Sequence, residues 1–157
     1  MSPLQHTAAH AVIPATAGRI YAILVDYHQG HPQILPKKFF SRLEVEEGGI
    51  GEGTVIRVHV RQFGRERVIR MQVAEPEPGR MLTETDPESG LVTTFVVTPL
   101  LDGQSTQVTI ATAWQPPRGI AGIFNRLVMP RMLRYVYAQE LRQLAEYVAA
   151  DGSGEEG

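Results

Sequence analysis

From Phe39 onward, apolar and polar positions alternate with the period of two that a pleated strand requires. FSRLEVEE, TVIRVHVRQF, RERVIRMQVAE, RMLTETD, LVTTFVVTPL and STQVTIATAW are six runs of strand length. Their separators (GGIGEG, the glycine of Phe63-Gly64-Arg65, PEPG, DPESG and LDGQ) are turn chemistry recurring about every 8 to 12 residues, the pattern of an antiparallel meander. No helical pattern interrupts them, so parallel crossover units are not expected. Upstream, His6 to Ile13 alternates weakly and predicts a seventh strand, ending at Pro14.

Two stretches carry helical spacing instead. Ile20, Tyr21, Leu24 and Val25 predict an amphipathic helix that has Pro14 in its first turn and ends near Asp26. HQGHPQILPKK, with one glycine and two prolines, predicts a turn or a one-turn helix. After QPPRG, the positions Phe124, Leu127, Leu133, Tyr137, Leu141, Leu144 and Val148 predict a long closing helix, kinked or restarted at Pro130 because proline has no N–H for the ladder. The tail from 151 to 157, DGSGEEG, is small, polar and acidic and reads as a disordered extension of one domain over 1–150.

One long helix covers a sheet of about seven strands only if the sheet curves around it, and such a wrap tends to enclose space. The pleat puts Phe95, Val97 and Pro99 on one strand face, and Val108, Ile110, Thr112 and Trp114 on another. The expected lining is Phe95, Val97, Ile110, Trp114, Leu127, Tyr137 and Leu141.

Composition narrows the chemistry. The 157 residues include no cysteine, which excludes disulfides, thiolate nucleophiles and cysteine-ligated metals. A formal charge of -2 supplies no positive field for nucleic acid. The opening MSPLQHTAAHAVIP lacks the basic and apolar regions of a secretory signal, and no apolar run is long enough to span a membrane, so a cytoplasmic protein without membrane insertion is expected.

Candidate acid–base residues are few. At about 100° per residue, Glu140 falls beside the stripe containing Tyr137 and Leu141, where it either faces the cavity as a desolvated acid or reaches water. Tyr137 lies within the stripe and needs a partner for its hydroxyl. His59 alternates with Val58 and Val60, and the face shared by Arg57, His59 and Arg61 is either a solvated basic face or one turned to the pocket. His28 and His31 lack a third ligand, so no metal and no other cofactor is expected. Arginines 118, 126, 131, 134 and 142 make the closing helix basic, either to solvate it or to favour an anionic surface. GGIGEG departs from the dinucleotide-binding glycine pattern and precedes a strand, and no serine sits in a hydrolase elbow.

The order strand, helix, short helix, six strands and long helix resembles the START-related superfamily of polyketide cyclases and plant pollen allergens, across Thr7 to about Ala149. The resemblance is carried by YAILVDYHQGHPQILP, GIGEGTVIRV, TTFVVTPLLDGQSTQVTI and NRLVMPRMLRYVYAQELRQL. Where relatives often place a tryptophan after the first helix, this chain has Gln33 and Ile34. The resemblance implies an α+β helix-grip fold with a cavity between the sheet and the last helix. It also implies a functional range from binding a small hydrophobic molecule, as carrier or sensor, to polyketide cyclisation or dehydration. An interaction domain acting through its surface is a further alternative.

Overall fold

The computed structural model describes residues 3–154. Strand β1 (Gln5–Ile13) is followed by helices α1 (Ala17–Val25) and α2 (Gly30–Ile34). Strands β2 (Phe40–Glu47), β3 (Val55–Gln62), β4 (Arg65–Glu77), β5 (Met81–Thr85), β6 (Val92–Pro99) and β7 (Thr106–Trp114) come next, and helix α3 (Ile120–Gly154) closes the chain. All neighbouring strands pair antiparallel in one curved seven-stranded sheet of order β1-β7-β6-β5-β4-β3-β2. The six-strand meander thus folds as its turn chemistry predicts, and β1 returns to pair with β7.

Three boundaries differ from the sequence expectation. Helix α1 begins after Thr16, whose hydroxyl accepts from the Arg19 N–H at 3.3 Å; this cap, rather than Pro14, sets its start. Helix α3 does not restart at Pro130 but continues through it, because a single missing donor near the exposed half of a long helix is tolerated. The same helix continues through Gly154, so residues 151–154 are helical where a frayed tail was expected; Arg19 reaches over to the Val148 carbonyl at 2.7 Å and to Asp151 at 3.3 Å. Residues 155–157 lie outside the described residues. No helix among the described residues is long and apolar enough to cross a membrane.

The pleat decides what faces inward. Thr106, Val108, Ile110, Thr112 and Trp114 of β7 are buried, and their intervening neighbours are only partly so. The C-terminal part of α3 is packed solid: Leu141, Leu144 and Val148 join Ile13, Ile20, Leu24, Val97, Val108 and Ile110 in the core. Toward the N-terminal part of α3 the packing changes. Ile120, Ile123, Phe124 and Leu127 are exposed, and here the sheet and the helix stand apart.

The glycine-rich β2–β3 connection docks on α1. The Tyr27 N–H donates to the Gly49 carbonyl at 2.8 Å, and the Gly51 N–H to that of Val25 at 2.9 Å. Gly49 has φ 135 and lies against His28, so a side chain there would meet both backbone strain and the imidazole. The segment is a structural clasp, as its failure to match a phosphate loop implies.

Candidate functional site

Between the sheet and the N-terminal half of α3 lies a cavity of about 300 Å³, at the small end of the range for ligand pockets. Helix α3 supplies Asn125, Met129, Met132, Leu133, Val136, Tyr137 and Glu140, positions that recur at three and four and so share one face. Leu43, Val58, Met71 and Phe95 from the strands, with Leu91 just before β6, furnish apolar walls. Arg61, Gln62, Arg67, Ser89 and Gln115 form the rim, where most side chains are exposed. The two sides of the rim are tied together by Trp114, whose indole N–H donates to Asn125 Oδ1 at 2.7 Å, and by Gln62, which reaches the Met132 sulfur at 3.9 Å.

At its deep end the cavity turns polar. Tyr137 and Thr112 share a hydrogen bond, and Thr112 Oγ1 is 2.9 Å from Thr93 Oγ1. The Tyr137 hydroxyl is thereby satisfied, and burial holds its pKa well above the usual range. Beside it Glu140 is only 3% exposed, and its Oε2 has no hydrogen-bond partner. Burial first, and the nearby Glu84 second, push the Glu140 carboxyl well above ordinary values. Glu84 of β5 is also buried and is pushed up to about 8 by desolvation. Burial therefore favours the neutral form of both carboxyls.

His31 of α2 completes this floor. Its Nδ1 lies 2.8 Å from the Leu24 carbonyl, which can only accept, so Nδ1 carries the proton and Nε2 keeps a lone pair. Burial lowers its pKa to about 4. The 3.8 Å approach of Nε2 to Glu84 is consequently a contact between two neutral groups rather than an ion pair. Tyr27 stacks on the imidazole with centroids 4.4 Å apart, and Phe95 meets its edge at 5.4 Å, fixing the ring in place.

Of the residues expected from the sequence to line the pocket, Phe95, Trp114 and Tyr137 do so, and Glu140 faces the same space. Val97, Ile110 and Leu141 are buried but off the lining. In the β6–β7 register Thr93 opposes Thr112, Phe95 opposes Ile110 and Val97 opposes Val108, so the cavity ends about one pleat step before Val97 and Ile110. Leu127 is corrected outright. It is 60% exposed, because it sits two residues from both Asn125 and Met129 and therefore roughly opposite their face.

His59 is likewise corrected. It points to the outer face of β3, away from Val58 and Val60, with Nε2 2.7 Å from Glu44 and Nδ1 3.0 Å from Glu66. Glu46 pairs there with Arg57 and Arg70, so this basic face is largely neutralised by its own acids. Among the described residues no group of three or more His, Asp or Glu is placed to hold a metal, and His31, considered with His28 for that role, is instead built into the pocket floor. Glu84 was missed as a site residue, and His31 was weighed only as a metal ligand. For Glu84 a signal existed, since the period of two puts it on the same face as Leu82.

Known proteins share this architecture. The solution structure of the KanY protein superposes with a TM-score of 0.80 at 27% identity, over 94% of this chain and 99% of that one. A protein from Thermus thermophilus follows at 0.75 and 21%, with 94% and 99% covered. The Zhui aromatase/cyclase from Streptomyces sp. R1128 gives 0.65 and 21%, with 96% and 94% covered. No curated protein matches the sequence. Residues 5–149 match the family described as polyketide cyclase / dehydrase and lipid transport. The curved sheet gripping α3, the cavity between them and this match over nearly the whole chain make the protein a member of that family.

Proposed function

We propose that the protein binds a small, largely apolar molecule in this cavity and acts as its carrier or sensor. The observation that carries the reading is Glu140 Oε2, a buried polar atom without a partner on a residue that lines the cavity. Leaving such an atom unsatisfied costs about 1–3 kcal/mol, which a polar group on the ligand offsets. The ligand's body lies against Val58, Met71, Phe95 and Leu133, and its polar end meets Glu84, Glu140 and Tyr137. No cofactor enters this scheme. Analysing what natively purified protein releases on denaturation tests it. A single apolar compound with one or two polar groups, near one per chain, is expected; release of nothing from protein purified from its own source counts against a carrier.

The same carboxyl favours a second reading, a cyclase or dehydratase. A protonated Glu140 in a water-poor cavity beside Tyr137 has the properties of a general acid for a carbonyl or a departing hydroxyl. Glu140→Gln then lowers turnover of a poly-β-ketone substrate by about 100-fold or more while leaving its affinity within a few-fold. Full turnover in that variant removes Glu140 from the chemistry.

A further inference from the structure

The polar floor is rich in acceptors and has no cation. Glu84 and Glu140 bring four carboxyl oxygens, one of them unpartnered, and His31 offers the Nε2 lone pair because its only N–H is committed to Leu24. Among the described residues no lysine or arginine pairs with either carboxyl, and the arginines on the cavity, Arg61 and Arg67, sit exposed at the rim. Tyr137 and Tyr27, whose buried hydroxyl is also without a partner, are neutral phenols; Asp86 lines the cavity as well, and although burial raises its carboxyl, hydrogen bonds from Ser89 and Glu88 hold it below ordinary values. Two carboxyls thus share one desolvated space with no positive charge to answer them.

We propose that the molecule bound here carries a basic nitrogen: an apolar amine whose ammonium group is seated on Glu84 and Glu140. The proposal rests on the pocket reading above and names its ligand class. An ammonium group supplies up to three N–H donors, which the carboxyl oxygens and the His31 Nε2 lone pair can accept. Its arrival also settles the charge. One carboxyl gives its proton to solvent and becomes the counter-ion, the other stays protonated, and cation, carboxylate and carboxyl together are neutral. A neutral hydroxyl or carbonyl of the same shape uses fewer of these acceptors and needs no proton release.

Two probes with one apolar body separate the possibilities: naphthylmethylamine and naphthylmethanol, titrated calorimetrically into the full-length protein. The amine is expected to bind at least about tenfold tighter than the alcohol near pH 7.5. Its affinity rises roughly tenfold per pH unit between pH 6 and 7.5, since one proton leaves as each amine enters, while that of the alcohol stays flat. Glu140→Gln and Glu84→Gln, both isosteric, each reduce the preference to a few-fold. An alcohol that binds as tightly as the amine overturns the amine assignment and leaves the pocket standing. If neither probe binds, the pocket reading falls together with it.

Discussion

Raising the pH from 6.5 to 9 destabilises the protein by about 2 kcal/mol through Glu84 alone. In the folded chain this carboxyl is pushed up to about 8 by burial, whereas its ordinary value is 4.5. Between those values the folded state keeps a proton that the unfolded state has lost. The stabilisation is therefore complete below about 4.5 and disappears as the pH climbs through 8. Glu140 acts in the same direction. His31 acts in the opposite one. Lowered to about 4 from 6.5, it stabilises above 6.5 and loses that contribution as the pH falls through 4. From about a unit above 6.5 it is neutral in both states, and the carboxyls act alone. Urea unfolding at the two pH values measures the difference, and Glu84→Gln reduces it by about 2 kcal/mol. Equal stability of the wild type at both values contradicts the burial of these acids.

Val58→Phe is expected to weaken binding of an apolar probe at least tenfold, about 1.4 kcal/mol, with the fold intact. Val58 faces the cavity from β3, so the added ring enters space that a ligand would otherwise take. Overpacking a filled core typically costs about 1–3 kcal/mol, but here the ring meets a void and the cost is smaller. Leu141→Phe supplies the contrast. Leu141 belongs to the packed part of α3, so the same kind of enlargement lowers stability by about 1–3 kcal/mol and leaves affinity within a few-fold. If Leu141→Phe blocks binding and Val58→Phe does not, the cavity lies deeper than the structure places it.

The fold was legible because its signals are local. Period-two runs between glycine-bearing turns specify the meander, and the stripe Tyr137, Leu141, Leu144 and Val148 specifies the buried half of α3. The site was legible only where one periodicity reached it. Projection from Tyr137 put Glu140 beside the apolar stripe, and the structure buries it. Where the projection was carried across Pro130 to Leu127 it failed, because the helix face that meets the sheet's far wall is defined by Asn125, Met129 and Met132. His59 shows the limit of alternation. A strand pattern tells which residues share a face but not which face is inner, and only pairing with Glu44 and Glu66 across β2 and β4 settled that. His31, by its spacing from His28, suggested a metal ligand and nothing about the cavity floor. Its place depends on contacts with Leu24 and Phe95, which only the tertiary fold brings together.

The central claim is that the space between the sheet and the N-terminal half of α3 admits a small apolar ligand whose polar end meets the buried carboxyls. Mapping chemical shifts by NMR during titration with naphthylmethylamine tests it most directly. The account predicts saturable changes concentrated at Val58, Met71, Phe95, Trp114 and Leu133, with the Glu84 and Glu140 carboxyl carbons shifting as one proton is released. Saturable changes confined to the outer face of the sheet, or to the exposed residues Ile120, Ile123 and Phe124 alone, would contradict it.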